Sequence, residues 1–124
     1  MRRVLAAVGD LVAVLVFVGI GRSAHGHVVD LAGMVSTAWP FVAGVAIGWM
    51  AAQAWRSPVG RRSGLTVWLC CVAVGMLLRV VAGQGTAAAF IAVALGFLGL
   101  ELLGWRILAA ALARRASRPL TSAS

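Results

Sequence analysis

Acidic residues are almost missing from this chain. Asp10, Asp30 and Glu101 are the three in 124 positions, against eleven basic residues, and the formal net charge is +8. Lysine is absent altogether, so every basic residue is arginine, a bias that with abundant alanine, glycine and valine reads as the composition of a GC-rich genome. Charge of either sign is scarce at 11%, where a soluble domain carries about a quarter. Three acids and two histidines leave a hydrolytic enzyme very little to work with, and no G-x-S-x-G elbow, Walker loop, H-E-x-x-H or paired C-x-x-C occurs. A non-enzymatic protein is expected. The two cysteines, Cys70 and Cys71, are adjacent, which strains disulfide geometry and suggests buried thiols without a redox role. His25, His27 and Asp30 are too few and too local to specify a metal, and no second axial partner for a haem lies inside an apolar segment. No cofactor is expected.

Apolar residues fill the space that charge leaves. They make up 62% of the chain, with a mean hydropathy of +1.00, and they fall in blocks near residues 4–21, 33–55, 65–82 and 86–112. A bilayer crossing takes roughly 20 such residues. The sequence therefore predicts an all-α integral membrane protein, a four-transmembrane-helix antiparallel bundle over residues 1–112, with a flexible cytoplasmic tail at 113–124. Pairs of small residues, Gly9-xxx-Ala13, Gly44-xxx-Gly48 and Ala92-xxx-Gly96, are candidates for close helix contact. Pro40, between Trp39 and Phe41, falls near the start of the second block, where an early helical turn tolerates it.

The arginines orient the bundle. Arg2 and Arg3 precede the first block, Arg56, Arg61 and Arg62 fill the second loop, and Arg106, Arg114, Arg115 and Arg118 end the chain. Arg22 and Arg79 stand alone on the other side. An excess of arginine marks the cytoplasmic face, which predicts both termini inside and a multi-pass protein of the bacterial plasma membrane. Anionic lipid headgroups explain the positive charge better than nucleic acid does, since no aromatic and basic soluble surface remains to host a strand. Asp10 in the middle of the first block argues against a cleaved signal peptide there.

Two groups of polar residues are candidate sites. Asp10 and Glu101 lie within apolar blocks, where charge is costly and usually faces a bundle interior. Asp10 is six residues past Val4, roughly 9 Å along a helix, and Glu101 falls late in the last block, so both occupy the cytoplasmic half with Arg106 nearby. Asp10, Glu101 and Arg106 thus form either a structural charge pair or a proton-coupling site. Towards the outside, Arg22, His25 and Arg79, with Trp39, could hold an anionic group through guanidinium forks. The opposing reading has Arg79 capping a helix end and Asp30 pairing with Arg22.

The ordered set Gly9-Asp10, Gly19-x-Gly21-Arg22, His25, Trp39-Pro40-Phe41, Gly48-Trp49, Arg79, Phe90 and Gly104-Trp105-Arg106 resembles a small uncharacterised family of four-span membrane proteins of actinobacteria and haloarchaea. The resemblance runs from about residue 5 to residue 108 and implies a polytopic plasma-membrane protein, with no activity to carry over. In size, and in having an acid in its first span, the chain is also similar to small multidrug transporters. The function expected is non-enzymatic binding of a small anionic or amphipathic ligand or of a membrane partner, alone or as a homo-oligomer. The alternatives are a homo-oligomeric proton-coupled transporter with Asp10 and Glu101 titrating and, further off, a lipid-modifying membrane enzyme.

Overall fold

A computed structural model describes residues 2–24, 26, 30–84 and 88–116. They form four helices, α1 (Arg2–Ala24), α2 (Leu31–Ala52), α3 (Arg61–Val81) and α4 (Ala88–Ala116), and no strand among the described residues. All four are long and apolar enough to cross a membrane. The last extends past the expected end of its span at residue 112, through two of the terminal arginines to Ala116.

The ends of the helices follow from local chemistry. Asp30 caps α2 by accepting from the Gly33 amide at 3.0 Å, satisfying one of the free N–H groups of the first turn. Gln53 ends α2 in the left-handed region with φ of 50°. At the end of α3 the turn is made by Gly83, with φ of 75°, while Gln84 N–H reaches back to the Arg79 carbonyl at 2.8 Å and Gly83 N–H to that of Val80. That is the Schellman arrangement, which needs the left-handed residue that glycine supplies.

Each helix runs antiparallel to its neighbours, and the four stand in a ring α1–α2–α3–α4 that closes between α4 and α1. The tightest pair is α2 and α3. A β-carbon on Gly44 would meet the Cys71 backbone, and one on Gly48 would lie 2.7 Å from the Val67 α-carbon. The Gly44-xxx-Gly48 pair is thus a true helix contact. Ala92 and Gly96, by contrast, are exposed on α4, and a β-carbon at Gly96 would touch nothing. Outward faces carry Leu5, Leu15, Leu69, Leu77, Leu100 and Leu108, an apolar coat suited to lipid.

Pro40 departs from expectation. With α2 beginning at Leu31, it lies well inside the helix and is buried, not in an early turn. Proline there has no N–H for the carbonyl four residues back, which belongs to Ser36. The Gln84 side-chain amide donates to that Ser36 oxygen at 3.1 Å, and Arg79 donates to Gln84 Oε1, also at 3.1 Å. The arginine lies over the Phe90 ring, 4.5 Å from its centroid. All four phenylalanines of the chain converge beneath it, Phe17 meeting Phe41, Phe90 and Phe97 at centroid distances of 5.5 to 6.0 Å. Phe41 in turn fills the space left by Gly75.

Candidate functional site

Asp10 is fully buried on α1 and accepts four hydrogen bonds. Arg106 of α4 grips both oxygens, Nη1 on Oδ1 and Nη2 on Oδ2, each at 2.7 Å. The Trp105 indole donates to Oδ1 at 2.9 Å and the Trp49 indole of α2 donates to Oδ2 at 2.7 Å. A carboxylate offers about four lone-pair sites, and here all are taken. Bidentate charge-assisted bonds of this kind are the strongest polar contacts a protein interior uses.

Arg106 is also buried, and two further N–H groups hold backbone. Nε bonds the Pro58 carbonyl of the α2–α3 loop at 2.8 Å, and Nη1 shares the Leu102 carbonyl one turn back at 3.1 Å. One residue pair thus ties together α1, α4, α2 through Trp49, and the loop before α3. The backbone lets this happen: Gly9 gives the Trp105 ring room to lie against α1, and Gly64 admits Leu103 and the Arg106 stem against α3.

Glu101 stays outside this network. Phe97, Glu101 and Trp105 are spaced four apart and share one stripe of α4. Phe97 meets Phe17 and Trp105 meets Gly9, so the stripe faces α1 and sets Glu101 level with Ala13. It is half-buried, and its Oε1 is enclosed without a hydrogen-bond partner among the described residues. Asp10 and Arg106 are brought together; Glu101 is not joined to them.

The outer residues are spread over two tethers. Arg22 donates to Thr37 Oγ1 at 3.1 Å, and its guanidinium and Asp30 Oδ1 both crowd the space above the Gly33 α-carbon. Arg79 is engaged with Gln84 and Phe90 as described. Trp39 is exposed on α2. His25 lies outside the described residues, as does His27. No three His, Cys, Asp or Glu side chains cluster as metal ligands among the described residues.

Two openings flank the buried pair. Between α1 and α2 a groove of about 240 Å³ is bounded by Leu11, Val14, Val45 and Trp49. Between α3 and α4 a cleft of about 670 Å³ has Arg61, Arg106 and Arg114 on its polar side and Leu65, Leu103 and Ile107 on its apolar side. Sequence reasoning did not find the cleft. Arg61 and Arg114 enter the sequence reading only as topological signals and Arg106 only as a partner for an acid, and the wall they share with the aliphatic residues exists only once α3 and α4 are paired.

Residues 7–109 match a family model described as a protein of unknown function, DUF3054. No curated protein and no solved structure matches the chain.

Proposed function

The chain therefore belongs to the DUF3054 family, and from that premise we propose that it is a non-enzymatic four-helix protein of the bacterial plasma membrane that binds an anionic amphipathic ligand in the cleft between α3 and α4. The observation that carries this reading is the pairing of Arg61 and Arg114 with an aliphatic wall around one cleft, in a size range typical of ligand sites. Arg106 serves as the rigid floor, since its guanidinium is committed to Asp10 and to backbone. The end of the bundle that carries Arg3, Arg56, Arg61, Arg62, Arg114 and Arg115 faces the cytoplasm under this reading.

A thermal-shift series tests it. A dodecyl phosphate kept below its micellar concentration, added to protein in a neutral maltoside, should stabilise the fold by about 1.4 kcal/mol when present at ten times its Kd. Dodecanol should not. Equal shifts with dodecanol, or the same shift in an Arg61→Gln/Arg114→Gln variant, would remove the cleft from consideration.

One observation favours a second reading, proton-coupled transport by a homo-oligomer: the enclosed Oε1 of Glu101. Under it Glu101 carries the proton, and Glu101→Gln abolishes proton-linked uptake in vesicles while leaving expression intact. Crosslinking in native membranes that yields monomer alone would sink this alternative.

A further inference from the structure

We infer that the ligand of the α3–α4 cleft is an anionic phospholipid, its phosphate held between Arg61 and Arg114 and one acyl chain laid along Leu65, Leu103 and Ile107. The inference rests on the binding reading above and names the chemical class of its ligand.

The cleft changes character along its length. Arg61 is in the first turn of α3 and Leu65 is one turn deeper on the same face; Arg114 is in the last turn of α4, with Ile107 and Leu103 successively deeper. Polar contacts at the mouth and aliphatic contacts below repeat the order of a lipid, headgroup first. A free phosphate would use the mouth and leave the aliphatic wall unexplained.

The depth is right for a headgroup. The 21 residues of α3 make about 31 Å of helix, close to the roughly 30 Å of bilayer hydrocarbon, so Arg61 falls at its polar boundary. The 29 residues of α4 make about 43 Å, and the excess carries Arg114 beyond that boundary to overhang the mouth.

The charge selects the headgroup. No acidic side chain lines the cleft, and Arg61 and Arg114 add two positive charges at its mouth beyond the Arg106–Asp10 pair. Guanidinium forks match phosphate oxygens. The α3 N-terminus adds to this, because Gly60, its N-cap, brings no side chain to cap the first-turn amides. A zwitterionic lipid would press its quaternary ammonium against the same arginines.

Native mass spectrometry of the full chain, released from neutral maltoside with equal amounts of phosphatidylglycerol and phosphatidylcholine of matched chains, tests the inference. The expected result is about tenfold preferential retention of phosphatidylglycerol. Arg61→Gln/Arg114→Gln should erase the preference, and Ile107→Trp, which fills the apolar wall without changing charge, should lower retention of the same lipid. Arg115→Gln, one residue from Arg114 and outside the cleft lining, should change nothing. Equal loss in the Arg115 variant would show general attraction to a basic surface and overturn the inference, as would displacement of the lipid by inorganic phosphate at millimolar concentration. Because every position mutated is exposed, unchanged melting temperatures verify that the variants are folded. If dodecyl phosphate still binds and no phospholipid preference appears, the lipid assignment fails while the binding reading stands. If neither ligand binds, both fail.

Discussion

Asp10 has no spare acceptor capacity, and that decides what its replacement does. Asp10→Asn keeps the shape but turns one oxygen into a donor facing Arg106 and an indole, leaving a buried guanidinium without its counter-charge. Breaking such a pair from one side costs about 3–5 kcal/mol. Both Asp10→Asn and Arg106→Gln are therefore expected to fall sharply in stability, measured by thermal melting in detergent. The double variant Asp10→Leu/Arg106→Met should recover part of that loss, because no charge is stranded. It should not recover all of it, since the Trp49 and Trp105 indoles lose their acceptor. Trp105→Phe alone should cost about 1.5–3 kcal/mol, the range for a hydrogen bond to a charged group. The acid and the arginine were visible in the sequence as polar residues in apolar blocks. Which acid Arg106 would choose was less visible, because Glu101 is far nearer in the chain. Five residues along a helix turn the side chain by about 140°, so Glu101 and Arg106 point to different sides of α4. The tryptophans carried no such signal in the sequence, yet the Trp49 and Trp105 indoles both donate to Asp10 inside the bundle.

The four helices were legible from the apolar blocks, but the relation between α2 and the α3–α4 turn was not. Even counted from the block's start at residue 33, Pro40 is the eighth residue and beyond the second turn, so an early-turn place does not fit it; the start of α2 at Leu31 only moves it further inside. Once Pro40 is interior, the Ser36 carbonyl needs a donor, and Gln84 is the residue that arrives. Gln84→Ala is expected to cost about 0.5–1.5 kcal/mol by removing the donor to that exposed carbonyl and the Gln84 contact of Arg79. In a Pro40→Ala background the helix regains its own N–H donor, so the same Gln84→Ala change should cost clearly less. A double-mutant cycle on melting stability reads the difference, and additive losses would contradict the pairing. For the α2–α3 contact, Gly48→Leu should push the helices apart and destabilise the fold, whereas Gly96→Leu on the exposed face of α4 should be close to neutral.

For the molecule as a whole, the antiparallel ring was readable from four blocks and short loops, and the side facing the cytoplasm is a reading of arginine counts. Cysteines introduced at exposed positions test it: Arg56→Cys should react with a membrane-impermeant maleimide only in opened vesicles, and Ser23→Cys from outside intact cells. The reverse pattern would invert the orientation. The position of the cleft could not be read from the chain, because it is a property of two helices side by side and of one overshooting the other.

The ion pair joins residues 96 positions apart, on the first helix and the last. During synthesis α1 enters the bilayer carrying an acid whose partner has yet to be translated, at a cost below the roughly 2.5–3.5 kcal/mol of a charge at the helix centre, because Asp10 lies in the cytoplasmic half. Only when α4 emerges is that helix released from its need for water or for a holding factor. The pair can therefore form only in a chain that has reached its last helix. A chain halted after residue 84 should be degraded rapidly in cells, and Asp10→Leu in that same truncated chain should prolong its life.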